Sequence, residues 1–250
     1  MKTLLIKEFK EQWRSKRLLS SLIVFSIFGI LSPLAARFMP DFIANMTKEQ
    51  AINIIVPEPV WTDALLQYVK NISQMCSFIL IILTMGIIAK EKESGTMIFL
   101  FVKPVKRSSF ILSKFMIQYL SAFISLLIAS SFCFFYTYLF FEEADIMIFL
   151  KINAILLLFV MFIQSLTLFY STLFKSSIPA GLLAFFTWLI SGLWGQIKVI
   201  GPYSPSRLVK QSEQVIAGAT LQWEPFATTF VLFAVLLGLS IWFCEKWDTE

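Results

Sequence analysis

The stretch Ala89–Lys114 reads AKEKESGTMIFLFVKPVKRSSFILSK. It is a charged island with a run of six apolar residues, Met97 to Val102, inside it, and it sits between two long hydrophobic runs. Each flanking run can cross a hydrocarbon layer of about 30 Å, so the island is the link between two membrane spans. That reading decides the fold class, an all-α polytopic membrane protein.

Outward from the island, six stretches are long and apolar enough to span, at Leu18–Ala36, Ile72–Ala89, Phe110–Phe141, Ile152–Phe174, Ile178–Gln196 and Phe226–Cys244. Together, residues 1–250 form a single transmembrane domain. Pro33 falls near the end of the first span, where a kink is expected. The third run would extend about 48 Å at ~1.5 Å per residue, more than a bilayer needs. With Lys114 near its start, its first turns are read as standing in the cytosol. Only Lys175, Ser176 and Ser177 join the fourth and fifth spans, and Pro179 opens the next helix, which predicts a tight hairpin.

Composition agrees. The chain is 58% hydrophobic and 15% charged, against about 45–50% and about 25% for soluble domains. Phe alone occurs 27 times. Cys76, Cys133 and Cys244 lie in or beside apolar runs, too scattered for a disulfide framework or a zinc site, and read as small buried residues. The absence of histidine removes the commonest metal ligand and general base.

The first 17 residues are charged throughout and no small-residue cleavage site follows the first apolar run, so that run is expected to stay as a span. Leu5, Ile6, Phe9 and Trp13 share one face of a helix while Lys7, Lys10, Arg14 and Arg17 spread over the rest, the pattern of a basic amphipathic helix on the membrane surface. Counting Lys and Arg gives fourteen on the side of both termini and seven on the other, which places both ends in the cytoplasm. The net charge of +5 then needs no nucleic-acid partner.

On the outer side, Trp61, Leu65, Tyr68 and Ile72 repeat at helical spacing. Ser204-Pro205 resembles a cap and first-turn proline, followed by an apolar face of Leu208, Val209, Val215 and Ile216 that Gly218 can end. Both segments read as short amphipathic helices at the outer interface or dipping into it, or else as solvated loops.

No G-x-x-x-x-G-K-[ST] phosphate loop is present, and the cytosolic segments are too short for a nucleotide-binding domain. As drawn, no span carries a deep Asp, Glu, Lys or Arg, so a coupling-ion path is not indicated. Gln74, Gln118, Asn153 and Gln164 are expected to make inter-helix hydrogen bonds. No metal-ligand cluster and no nucleophile with a neighbouring base occurs, so catalytic and metal sites are expected to be none and the chain is not read as an enzyme.

Within the island, Lys90, Glu91, Lys92 and Glu93 close the second span. Gly95, between Ser94 and Thr96, is free to turn left-handed, and Lys103-Pro104 stops the apolar run. Six apolar residues outside any span must be covered, by lipid or by the groove of a soluble partner.

Here the residues resemble a family. Glu91-x-Glu93-Ser94-Gly95-Thr96, an apolar segment, Pro104-Val105-x-Arg107 and then Ser113-Lys114 look like the pattern of ABC-2 type permeases, the membrane subunits of ATP-binding-cassette transporters. The resemblance extends over the whole chain, with residues 1–17 similar to the family's elbow helix and Tyr203-Ser204-Pro205 similar to its outer connection. It implies a bacterial plasma-membrane exporter subunit. A second permease, identical or sister, would line the path, and two copies of a cytosolic ATPase would bind ATP and Mg, with no cofactor in this chain. Residues 90–109 would form the coupling loop. The residues expected to meet the ATPase are Glu91, Glu93, Ser94, Gly95, Thr96, Met97, Phe99, Leu100, Phe101, Val102, Pro104 and Arg107. The apolar, Phe-rich spans suit a hydrophobic or amphipathic substrate such as a peptide, drug or lipid-like molecule. The alternative is a non-transporting membrane scaffold or sensor that binds an ATPase. An ion-coupled carrier is disfavoured by the missing membrane charges.

Overall fold

The computed structural model describes residues 2–49, 58–97, 106–197, 199 and 201–247; for residues 41 and 43–49 it describes the backbone alone. Its elements are helices: α1 (Lys2–Arg14), α2 (Arg17–Glu49), α3 (Trp61–Asn71), α4 (Ser77–Thr84), α5 (Ala89–Glu93), α6 (Arg107–Phe141), α7 (Ile146–Leu173), α8 (Ser177–Trp194), α9 (Arg207–Ile216) and α10 (Glu224–Glu245). Among the described residues six helical stretches are long and apolar enough to cross a membrane, and α3, α4 and α5 together make one of them.

The first helix of the membrane bundle runs past the expected end of its span at Ala36. Helix α2 runs through Pro33 and Pro40 to Glu49. Beside Pro33 the Ser32 hydroxyl donates to the Phe28 carbonyl at 2.5 Å and accepts from the Asn71 amide at 2.9 Å, which ties α2 to α3. One turn away, Gly29 lets α2 press against α6. A Cβ on Gly29 would lie 2.5 Å from the Ala129 carbonyl oxygen, so only glycine permits this approach.

The helix expected as a separate outer element before the second span is part of that span. Ala64, Leu65, Tyr68 and Val69 are buried, and a π-helical turn at Ile72–Cys76 joins α3 to α4. Burial of Tyr68 is offset by polar pairing: its hydroxyl donates to Asn153 of α7 at 2.8 Å. The sequence periodicity was amphipathic because its apolar face meets Phe149 and Leu126 rather than lipid.

At its other end the second span breaks after Thr84 and restarts at Ala89. Ser171 of α7 supports the restart, accepting from the Ile88 and Ala89 amides at 3.0 Å each. Those amides would otherwise be orphaned at a helix start.

Buried polar side chains pair between helices as their residue types predict. Gln118 of α6 donates to Gln164 of α7, and Tyr170 meets Thr187 at 2.7 Å. All three cysteines are buried and free. Three apolar clusters run along the bundle, one around Phe25 and Leu126, one around Phe159 and Ala184, and one at the end where both termini lie, around Ile88, Phe110 and Cys244.

Helix α9 packs Leu208, Val215 and Ile216 inward, as its apolar face predicts. Its start differs from expectation. The helix begins at Arg207, and the Ser204 and Ser206 hydroxyls donate instead to the Ser191 carbonyl near the end of α8, at 2.7 and 2.8 Å. Ser204 therefore fastens α9 to α8, closing carbonyl valences that a helix C-terminus leaves open.

Candidate functional site

Four charged side chains at the terminal end of the bundle form a closed ring of alternating sign. Lys114 Nζ donates to Glu8 Oε2 and to Glu91 Oε1, each at 3.0 Å. Lys7 Nζ donates to Glu91 Oε1 at 2.9 Å and to Glu8 Oε1 at 3.0 Å. Glu11 approaches Lys7 at 3.6 Å from one helical turn along α1.

The ring connects three elements that are distant in sequence. Glu8 and Lys7 lie on α1, Glu91 lies on α5 at the root of the island, and Lys114 lies two turns into α6. The Lys114 side chain is fully buried and that of Glu8 is 3% exposed, so this part of the ring is dry. Lys7 is the wetter member at 40%.

The first turns of the third span were expected to stand in the cytosol, with no charge deep in the membrane. The structure adds what the sequence did not show: α6 begins at Arg107, and Lys114 lies in the protein interior between two carboxylates. Nor was a carboxylate cluster visible from spacing, yet oxygens of Glu8, Glu11 and Glu91 come within 4.8 Å of one another. The ammonium groups of Lys7 and Lys114 supply the counter-charge among them. Burial opposes the charge on Lys7, but the hydrogen bond and field of Glu91, helped by Glu8, prevail and hold its ammonium well above the usual lysine range.

Glu8 is placed by an unforeseen face of α1. The apolar stripe read from the sequence points away from the bundle, with Ile6, Phe9 and Trp13 exposed. The buried face is instead polar. Glu8 meets Lys114, and one turn on, Gln12 accepts from the Ser121 hydroxyl of α6. A polar i, i+4 pair on a charged helix resembles a solvated face, and only its partners on α6 distinguish it.

Two further island residues point inward. Lys92 Nζ donates to the Thr172 carbonyl and lies 3.8 Å from the ring centre of Trp247. Arg107 Nη1 donates to the carbonyls of Cys244, Glu245 and Trp247 at 3.0, 2.7 and 2.6 Å, capping α10.

Just after Lys92, residues 94–96 form a tight reversal. Gly95 has φ +68°, as the need for a left-handed residue predicts. The Ser94 and Thr96 hydroxyls both reach back to the Glu91 carbonyl, at 3.4 and 3.3 Å. Glu93, Ser94 and Thr96 are exposed, whereas Met97 is 3% exposed and packs with Ile87, Ile88 and Phe110. The expected contact residues Phe99, Leu100, Phe101, Val102 and Pro104 lie outside the described residues.

Far from the termini, a cavity of about 620 Å³ opens between α4, α7, α8 and α9. Phe78, Phe159, Phe185 and Trp188 give it an aromatic wall, Ser73 and Gln74 of the π-helical turn line it, and Lys210 and Glu213 of α9 stand at its polar side. The volume is that of an ordinary small-molecule pocket.

A six-span helical bundle whose first span follows a charged N-terminal helix, with a short charged link between its second and third spans, defines a class of multi-pass membrane transporter subunit. The chain belongs to one such family: residues 2–248 match the model of the ABC-2 family transporter proteins. It is also 25% identical over 260 aligned residues to an uncharacterized transmembrane protein, YxlG, of Bacillus subtilis (strain 168), with all of this chain and 98% of that one covered.

Proposed function

We propose that this chain is the permease subunit of an ATP-driven exporter, with its termini and the charged ring on the cytoplasmic side of a bacterial plasma membrane. A separate ATPase, present in two copies, binds and hydrolyses ATP with Mg, and a second permease, identical or sister, completes the path. The observation that carries this reading is the ring itself. It joins the root of the island to α1 and α6, so a force on the island is delivered to two other helices at once.

In this reading Glu93, Ser94, Gly95 and Thr96, with the chain from Phe99 to Pro104, face the ATPase. Glu91, Met97 and Arg107 transmit its movement from within the permease. A largely buried ionic ring is a poor source of stability compared with apolar packing, but it fixes which groups must stay together. Membership of the ABC-2 family supports an ATPase partner.

The cavity beside α8 suits an amphipathic substrate, with an apolar body against Trp188 and Phe185 and a polar group toward Lys210 and Glu213.

The test is co-purification with a candidate ATP-binding-cassette ATPase, followed by ATP hydrolysis in proteoliposomes. Stimulation by an amphipathic peptide or lipid, weakened by Trp188→Ala, is the expected result. A stable complex whose hydrolysis no candidate changes would support a scaffold or sensor instead.

A further inference from the structure

We propose that the cavity beside α8 is a site for a zwitterionic phospholipid, with its phosphate toward Lys210 and its ammonium toward Glu213. This rests on the reading of that cavity as a ligand site and names the chemical class that fits it. Lys210 and Glu213 stand three residues apart on α9, and both line the cavity, half-buried. Side chains at that spacing can pair. Here they do not. Lys210 reaches the Gly195 carbonyl at 3.4 Å, and neither residue makes an ion pair among the described residues.

The rest of the lining is mostly apolar. Phe159 and Phe185 form a wall that offers no hydrogen-bonding group. Met75, Phe78 and Leu189 line the cavity and are also exposed, so its mouth opens through an apolar rim on the second and fifth spans. One charge of each sign, held apart beside a low-dielectric space, is a costly arrangement unless something completes it.

The two charges select the occupant. An anionic amphiphile would meet Lys210 and be repelled by Glu213, and a cationic one would meet the reverse. A molecule that carries both charges offsets both. The wall then decides between zwitterions. A peptide brings amide groups that need partners, which Phe159 and Phe185 cannot supply, whereas acyl chains need none. A volume of about 620 Å³ takes a headgroup and the upper part of its chains, and the apolar rim lets the remainder stay in the bilayer.

Purified full-length chain in non-ionic detergent tests it, titrated with dioleoylphosphatidylethanolamine or dioleoylphosphatidylglycerol and read by native mass spectrometry, without ATP or a partner. The two lipids share their chains and phosphate and differ in the ammonium. The intact chain should bind the ethanolamine lipid about tenfold more tightly, the usual effect of one charged hydrogen bond. Glu213→Gln should abolish that preference, weakening the ethanolamine lipid and strengthening the glycerol lipid. Lys210→Gln should weaken both. Glu213→Asp and Lys210→Arg, which keep the charges, should retain the preference, and Lys175→Gln, remote in the α7–α8 hairpin, should leave it unchanged. Equal binding of the two lipids by the intact chain would overturn the proposal, as would a preference that survives Glu213→Gln. Displacement of the bound lipid by a lower concentration of a zwitterionic amphipathic peptide would overturn it too. ATP hydrolysis that the ethanolamine lipid leaves unmoved, with this binding intact, would count against transport alone.

Discussion

Glu91 and Lys114 meet at 3.0 Å from opposite ends of the island, 23 residues apart in the chain. The carboxylate lies near the end of one span and the ammonium near the start of the next. Their contact therefore closes the island into a loop with a fixed base, whatever its tip does. Glu8 adds α1 to that base through the same ammonium.

Removing the cation should be costly. Lys114→Met leaves Glu8 without its buried partner and Glu91 with Lys7 alone. The expected loss is about 3–5 kcal/mol, the usual effect of breaking a buried pair. For a chain of this size that lowers the melting temperature on the order of 10 °C. Glu91→Gln added to Lys114→Met should recover part of the loss, because it also withdraws a stranded charge. No recovery would show that Lys114 acts by packing.

The ring should resist alkali. Lys7 is held charged above its unfolded value of about 10.4. Its contribution is thus fully present below that value and declines only as pH rises through the higher folded value. The difference in melting temperature between the intact chain and Lys7→Met should be the same at pH 7 and pH 9. A difference already shrinking at pH 9 would mean that Glu91 and Glu8 do not hold the ammonium.

Arg107 predicts a local effect. Its guanidinium serves three carbonyls at the end of α10, and hydrogen bonds from a charged donor are worth about 1.5–3 kcal/mol each. Arg107→Gln should accelerate amide hydrogen exchange of Lys246 and Trp247 by roughly tenfold or more, with the span itself unaffected. Lys106→Gln, at an exposed neighbour, should change neither amide.

Gly29 and Gly192 should behave oppositely. Valine at Gly29 must displace the Ala129 backbone and force α2 from α6, at a cost of about 1–3 kcal/mol. Alanine at Gly192 meets nothing within 4 Å and should be neutral or stabilising by up to about 1 kcal/mol, since glycine is a poor helix former. Thermal unfolding of the two variants in one detergent checks both signs.

The six spans, the left-handed Gly95 and the inter-helix hydrogen bonding of Gln118, Asn153 and Gln164 were legible because each depends on local hydropathy, backbone freedom or the needs of a single residue type; which residue each would meet was not. The ring was legible only in part. Glu91 and Lys114 stood out as motif residues, but Glu8 looked like one more charge on a surface helix. Its burial follows from the facing Lys114, 106 positions away, and no periodicity within α1 encodes that distance. Ser204 was misread for a related reason: its local pattern suits a cap, while its hydroxyl is taken by Ser191 of a different helix.

The π-helical turn at Ile72–Cys76 has a bearing on how this chain is aligned with others. Ile72, Cys76, Leu80 and Thr84 are all buried although each follows the last by four residues. In a plain α-helix that spacing would drift about 40° per step; the wider turn absorbs part of the drift and keeps the series on one side. A relative whose second span is plain α-helix should therefore be matched with one unpaired position between Ile72 and Cys76. Without that gap, residues placed in the same column on one side of the turn would face different neighbours.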